Sequence, residues 1–261
     1  MKPSLQSLIS ALREKSHYEA VDYDWIAQQI GEEHLQARLE RQLNLYERQS
    51  GRVRKKARVL YRKIILLGLT CSGLLHRARR QARNPVWVEQ EWFFENLPDA
   101  FDGYRILQLT DFHFDFIPEL PSILKEILAQ KSFDLCVLTG DFRGETTGPY
   151  EESLADLSKT REGLGEKVYA VLGNHDNVEL MLKMPNLGIE LLMNQVVEIE
   201  RGGEKIQLAG IDDPHYYKTH HFEFLKPDAK IFTLLLAHSP ECWREAEASG
   251  VDLQLSGHTH G

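Results

Sequence analysis

Five short polar clusters in the second half of the chain each follow a predicted strand. They read Asp111-Phe-His113, Gly140-Asp141, Gly173-Asn174-His175-Asp176, a single His238, and Gly257-His258-Thr259-His260-Gly261. Ligands bind at the carboxyl ends of strands in α/β sheets, so we expect the clusters to meet at one edge. The candidate ligands are Asp111, His113, Asp141, Asn174, His238, His258 and His260.

These side chains form a mixed set of oxygen and nitrogen donors without a thiolate, which suits Mn, Fe or Zn better than Ca or Mg. Seven ligands are too many for one catalytic ion and enough for two, about 3.5–4 Å apart and bridged by a carboxylate. Such a pair can activate water for displacement at phosphorus. Each residue alone could be a helix cap, a turn residue or a near-core histidine, but their joint occurrence favours a two-metal site.

The elements that must position these clusters alternate between strands and helices. Strands are predicted at 104–109, 134–139, 167–172, 231–237 and 253–255, with a hairpin at 196–200 and 205–211. Helices are predicted at 121–130, 150–163 and 241–249. This alternation predicts a layered α/β domain over residues 85–261. A further strand is predicted over Val86–Phe94, which is rich in β-forming residues.

Residues 1–83 are predicted to be a helical region with a different charge. The first 100 residues carry a net charge of +5 and the rest −13, which disfavours a nucleic-acid partner for the second half. Residues 52–83 contain eleven lysines and arginines and no acid, around an apolar run over Ile64–Leu75. A helix of that run is roughly 18 Å long, too short for a hydrocarbon core of about 30 Å.

An apolar run in a basic segment is typical of a helix that lies in the interface of an anionic membrane. We therefore predict that 52–83 is a membrane-association segment. The alternatives are a buried helix with solvated basic flanks and a nucleic-acid tail, and the apolar centre argues against the tail.

Three widely spaced cysteines, without a CxxC pair, argue against a disulfide scaffold or a cysteine zinc site.

The order D-x-H, GD, GNH, lone His and GHTHG resembles the calcineurin-like metallophosphoesterase superfamily over residues 104–261. The resemblance implies a four-layer α-β-β-α sandwich that holds two divalent ions, with Mn favoured and Fe or Zn as alternatives. It implies that Asp141 bridges the ions. The first ion would be held by Asp111, His113 and His260, and the second by Asn174, His238 and His258.

The same resemblance places His175 near the leaving-group oxygen, as a general acid or a stabiliser of the transition state. Asp176 could orient His175 or cap a helix. Arg143 could bind a phosphate bidentately or lie at the surface. Phe112, Phe114, Phe116 and Ile117 could line an acyl groove, although core packing is the favoured interpretation.

The stretches Leu107–His113, Leu172–Asp176 and Leu208–Asp213 are similar to a bacterial membrane-associated subgroup that includes UDP-2,3-diacylglucosamine hydrolases of lipid A synthesis. This implies a phosphodiester or pyrophosphate hydrolase, bound peripherally at the cytoplasmic side of the inner membrane, with a lipid-nucleotide substrate. The alternative is a soluble cytoplasmic enzyme acting on nucleotides, nucleic acid or phosphoprotein, whose N-terminal helices dock a partner. Because family members continue past the last motif, we expect a fragment that lacks C-terminal strands.

Overall fold

Two four-stranded sheets form the centre of the molecule. The computed structural model describes residues 3–16, 21–50, 52–225 and 231–260, without the side chains of residues 50 and 52–58. The first sheet is parallel, in the order β1-β2-β3-β4. Its strands are β1 (Ile106–Leu109), β2 (Leu135–Leu138), β3 (Val168–Ala170) and β4 (Glu190–Leu191).

The second sheet has the order β5-β6-β7-β8. Its strands are β5 (Gln195–Arg201), β6 (Glu204–Gly210), β7 (Thr233–Leu236) and β8 (Leu253–Leu255). Strands β5 and β6 form an antiparallel hairpin, in register from Gln195 opposite Gly210 to Arg201 opposite Glu204. Strands β6, β7 and β8 run parallel, so the carboxyl ends of β7 and β8 lie at one edge.

The two sheets pack face to face because their strands alternate apolar side chains between two faces. In β2, Leu135 and Val137 join a core cluster with Ile206 and Leu208 of β6. The intervening Cys136 and Leu138 join a cluster with helices on the outer face. Both faces of β2 are therefore covered, which explains why all four of its residues are buried.

Helices cover the outer faces of both sheets and complete four layers. Helices α6 (Leu120–Leu128) and α7 (Glu151–Arg161) pack on the first sheet, and α8 (Trp243–Ala248) packs on the second. Helix α6 buries Leu120, Leu124 and Leu128, which are four residues apart and form the apolar stripe expected of a surface helix. The chain thus has the predicted α-β-β-α sandwich with a helical N-terminal region.

The first three helices share the core of the sandwich. They are α1 (Leu5–Ser16), α2 (Tyr23–Ile30) and α3 (Glu32–Ser50). Leu8, Leu12, Ile26, Leu35 and Leu39 belong to the same buried cluster as the outer face of the first sheet. These helices therefore pack against the α/β domain. The domain boundary near residue 85 stays a prediction.

Helices α4 (Arg52–Cys71) and α5 (Leu74–Ala82) expose their apolar residues. Ile64 and Leu66 are exposed, and Leu67 is 65% exposed. Among the described residues, no single helix has the length and apolar composition to span a membrane. The pair Val59–Cys71 and Leu74–Ala82, bent by 100°, meets that test only when its two helices are taken together.

Two sequence-based expectations about strands differ from the structure. Residues 86–94 form no strand, so the prediction over Val86–Phe94 was wrong. Val88 and Phe93 there are exposed. In the part of the chain that the structure describes, no neighbouring strand offers these residues backbone partners, without which β propensity has no effect. Strand β4 was missed because two residues show no alternation.

Candidate metal centre

The polar clusters meet where the carboxyl ends of the two sheets face each other. Asp111 follows β1, Asp141 follows β2, and His238 follows β7. The backbone N–H of Asp111 donates to the Gly140 carbonyl at 3.0 Å. Nδ1 of His238 lies 2.7 Å from the Thr139 carbonyl oxygen, which joins the second sheet to the first.

Asp111, His113 and His260 form one group of potential ligands. The Nε2 atoms of His113 and His260 lie 3.3 Å apart. Oδ1 of Asp111 lies 3.4 Å from His260 Nε2 and 4.0 Å from His113 Nε2. The other carboxylate contacts of Asp111 are the Thr110 hydroxyl at 2.8 Å and the backbone N–H of His258 at 2.9 Å, so its position is fixed.

Asp141, His238 and His258 form a second group. Oδ2 of Asp141 lies 3.3 Å from His238 Nε2 and 3.7 Å from His113 Nε2 of the first group. Oδ1 of Asn174 is 3.1 Å from His238 Nε2 and adds an amide oxygen. One carboxylate oxygen therefore faces both groups, which is the placement that a bridging ligand requires.

Carbonyl oxygens fix the ring orientation of several histidines. Nδ1 of His113 lies 2.9 Å from the Arg143 carbonyl, and His238 makes the equivalent contact with Thr139. A carbonyl only accepts, so each Nδ1 carries the hydrogen and each Nε2 presents its lone pair when the ring is neutral. Electron pairs of nitrogen and oxygen thus converge at two adjacent positions, and the donor set fits two divalent cations.

Neighbouring charges set the protonation of the second group. Burial alone would lower the pKa of His238, but the hydrogen bond and charge of Asp141 raise it to about 9. Burial alone would raise the pKa of Asp141, but His238 and the His175 backbone lower it below its usual range. Burial and the adjacent His238 and His215 lower the pKa of His258, which favours the neutral form that binds metals.

His175 and Asp176 have separate tasks. The ring of His175 contacts the Gly144 carbonyl through Nδ1 at 2.5 Å and lies 5.1 Å from the His113 ring. The Asp176 carboxylate accepts backbone hydrogen bonds from Gly173, Asp141 and Phe142 at 2.9, 2.7 and 3.0 Å. Asp176 thus ties the loops after β2 and β3 together and makes no hydrogen bond to the His175 ring.

The side chain of Arg143, for which the sequence leaves phosphate binding or a surface position open, is buried. The residue is 1% exposed, and its Nη2 donates to the carbonyl of Gly148 at 2.9 Å. A surface position is therefore wrong, but Nε and Nη1 have no hydrogen-bond partner among the described residues, so the phosphate-binding role stays a prediction. The backbone carbonyl of Arg143 orients the His113 ring.

Sequence analysis also missed a buried ion pair beside the site. Arg38 of α3 donates to the carboxylate of Asp212 through Nη1 and to the Asp176 carbonyl through Nη2, the second at 2.8 Å. Nε2 of His34 lies 2.7 Å from Asp212, and Arg38 lies over the Tyr217 ring at 3.9 Å. Charged residues on one face of α3 are typical of a solvated helix surface. Only the contact with Asp212, 174 residues away, shows that Arg38 is buried.

The protein-family model described as "Calcineurin-like phosphoesterase" matches residues 104–261 of the chain. The uncharacterised metallophosphoesterase YkoQ of Bacillus subtilis is 29% identical over 203 residues, 72% of each chain. A Danio rerio protein described as a transmembrane protein with metallophosphoesterase domain is 29% identical over 76% of this chain and 48% of its own. The phosphodiesterase YaeI of Escherichia coli is 27% identical over 60% of this chain and 61% of its own. The chain thus matches less than two thirds of the second and third relatives.

Proposed function

Because the chain belongs to the calcineurin-like phosphoesterase family and is a metal-dependent phosphoesterase, we propose that it hydrolyses phosphodiester or pyrophosphate bonds of a lipid-linked substrate at a membrane. The observation that carries the chemistry is the Asp141 carboxylate, whose Oδ2 faces His238 Nε2 at 3.3 Å and His113 Nε2 at 3.7 Å. A bridging acid between two nitrogen-rich groups suits a two-ion phosphoesterase.

Asp111, His113 and His260 would hold one ion, with Asp141 shared. Asn174, His238 and His258 would hold the other. The mixed oxygen and nitrogen set favours manganese, with iron or zinc as alternatives. When bound, the two ions supply a reactive water at neutral pH and offset charge on the phosphoryl oxygens.

The chain's own groups supply orientation and a proton. A water oxygen bonds to phosphorus while the opposite P–O bond breaks, and the departing oxygen then needs a proton. Because Nδ1 of His175 donates to the Gly144 carbonyl, its Nε2 carries a hydrogen only in the protonated ring. The attacking water releases one proton to solvent as its oxygen bonds to phosphorus. Protonated His175 gives its proton to the departing oxygen and returns to the neutral form, so atoms and charge balance.

Three observations support a membrane-bound, lipid-linked substrate. Helices α4 and α5 expose an apolar surface in a segment with eleven basic residues and no acid. Arg62 of α4 donates to Glu145, beside the loop that follows Asp141, at 2.7 Å. One relative is described as a transmembrane protein and another as a phosphodiesterase. A substrate held in the bilayer would lie close to such a site.

Release of UMP from UDP-2,3-diacylglucosamine by the full chain, in Mn²⁺ and detergent, tests this proposal. Bis-p-nitrophenyl phosphate, an activated diester, runs beside it, and Asp141→Asn is the inactive control. UMP release at a rate lost in Asp141→Asn supports the lipid-linked substrate. Hydrolysis of the diester alone keeps the two-ion chemistry and points to a soluble substrate, while no hydrolysis of either contradicts the proposal.

A further inference from the structure

One aromatic ring beside the metal centre faces solvent, although the two phenylalanine rings that precede it in the sequence are buried. Phe112 and Phe114 lie in the core and stack on each other, with ring centroids 4.8 Å apart. Phe116, two residues further on, is 53% exposed. The expected core packing of these aromatics therefore holds for the first two and is wrong for Phe116.

The ring of Phe116 lies against residues of the proposed mechanism. Its centroid is 6.0 Å from the centroid of the His113 ring, and the planes are inclined by 28°. It also covers Gly144, where a Cβ atom would lie 2.4 Å from the Phe116 ring. The carbonyl of Gly144 is the partner of His175 Nδ1. Phe116 thus stands next to both a proposed ligand and the proposed proton donor.

Hydrogen bonds hold the backbone that carries this ring. The Asp115 carboxylate accepts from the backbone N–H groups of Gly144 and Glu145, at 2.5 and 2.9 Å. The N–H of Phe116 donates to the His113 carbonyl at 2.8 Å. An exposed aromatic on a fixed turn loses little conformational freedom when a ligand packs on it.

The same contacts connect Phe116 to the exposed helix pair. Glu145, bonded to Asp115, accepts the hydrogen bond of Arg62 from α4. Val59 and Leu60 of α4 are exposed on the helix that carries Arg62. The turn that carries the Phe116 ring is therefore linked through Asp115 and Glu145 to the proposed membrane-facing helix.

We propose that Phe116 forms an apolar subsite for the substrate group attached to the scissile phosphate. The enzyme would then favour phosphodiesters and pyrophosphates that carry an apolar group there, either an acyl lipid or an aryl group. This inference rests on the proposed phosphoesterase function. Contact between the Phe116 ring and an apolar substrate group is favourable, because it removes apolar surface of both the ring and the substrate from water.

The test compares Phe116→Ala with the wild type on UDP-2,3-diacylglucosamine, bis-p-nitrophenyl phosphate and UDP-N-acetylglucosamine, each with Mn²⁺. The third substrate has the pyrophosphate bond of the first without its long acyl chains. We expect kcat/KM to fall about ten- to a hundredfold on the apolar substrates and to change little on the third. Phe116→Leu should restore part of the loss, and Phe93→Ala, 87% exposed in residues 86–94, is the control.

A loss on the lipid alone identifies an acyl subsite, and a loss on the diester alone identifies an aryl subsite. Equal losses on all three substrates, or unchanged kinetics on both apolar ones, overturn the subsite while leaving the phosphoesterase function intact. If the metal-loaded wild type hydrolyses none of the three, the proposed function fails and the subsite fails with it. Bound Mn²⁺, measured in each variant, separates loss of metal from loss of substrate contact.

Discussion

At the scale of single residues, the candidate centre depends on unusual backbone conformations. Among the described residues, seven non-glycine residues have positive φ, and five of them are proposed ligands. Those five are Asp111, His113, Asp141, His258 and His260. Such conformations cost on the order of 1–2 kcal/mol each and persist where the surrounding structure fixes them. These backbone conformations direct the ligand side chains toward the centre. Glycines next to the ligands allow neighbouring segments to approach closely there.

Substituting Gly173 tests this geometry. A Cβ there would lie 2.2 Å from Asp141 Oδ1 and must displace the bridging acid. We expect Gly173→Ala to weaken Mn²⁺ binding by about 10–100-fold, the loss typical when a residue that orients a ligand is changed. Titration calorimetry measures the affinity. Gly163→Ala is the control, since its Cβ would meet its nearest neighbour at an ordinary 3.4 Å. Equal affinities in the two variants would contradict the model of a sterically fixed Asp141.

Removing the His175 ring tests its assignment as a proton donor. We expect His175→Ala to lower kcat by about 10²–10⁴-fold, because the departing oxygen loses its acid. Bound metal should stay unchanged, since the proposed ligand sets do not need this residue. The exposed His221→Ala is the control. A loss of metal in step with activity would instead make His175 a ligand, which its grouping with His113 and Asp141 allows.

At the scale of elements, sequence patterns predicted the strands that carry ligands better than the contacts between distant segments. Each ligand cluster follows a strand in which apolar residues predominate, and β8 was predicted at its observed bounds, Leu253–Leu255. Helix α3 shows why the rest was not predictable. Its buried Arg38 and Gln42 look like solvated residues locally, and their partners Asp212 and Glu179 lie more than 130 residues away.

Helix α3 is therefore expected to stabilise the site. Arg38→Met removes the charge that faces Asp212 and the donor to the Asp176 carbonyl. The buried Asp212 carboxylate then keeps its His34 contact but loses its guanidinium partner, so we expect a loss of about 3–5 kcal/mol in the free energy of unfolding. Urea denaturation measures it. Lys125→Met, which breaks the exposed pair with Glu162, should change the urea midpoint far less. Similar costs for the two variants would mean that α3 is not anchored by this pair.

The ion pair also predicts a pH dependence. Burial alone would raise the pKa of Asp212, but Arg38 and His34 hold it well below its usual range, with Tyr217 and Asp213 nearby. A lowered folded pKa stabilises the protein above the unfolded value, about 4, and the contribution is lost as pH falls below it. Urea midpoints measured from pH 6 to pH 3 should therefore drop more steeply in the wild type than in Arg38→Met. Parallel curves would contradict the lowered pKa.

At the scale of the whole molecule, charge and apolar exposure are segregated. The acidic second half carries the ligands, where negative charge favours cations. The basic segment 52–83 exposes Leu66, Leu67 and Leu74 together with Arg77, Arg79 and Arg80. A protein exposes so many large apolar residues in one place mainly where something covers them. Basic flanks of one sign make an anionic bilayer the best match among the candidate partners.

Vesicle binding tests that match on the intact chain. We expect flotation with phosphatidylglycerol vesicles, much weaker flotation with phosphatidylcholine vesicles, and a decline as salt screens the arginines. Leu66→Glu with Leu67→Glu should reduce binding by about tenfold or more, because each change removes buried apolar area and adds repulsion. Trp243→Glu is the control, since Trp243 is similarly exposed, at 52%, but lies on α8. If both variants float like the wild type, the apolar face of α4 does not enter the bilayer. Retained hydrolysis of bis-p-nitrophenyl phosphate by the double variant would show that the fold and the site are intact, because the catalytic groups lie outside the segment it alters.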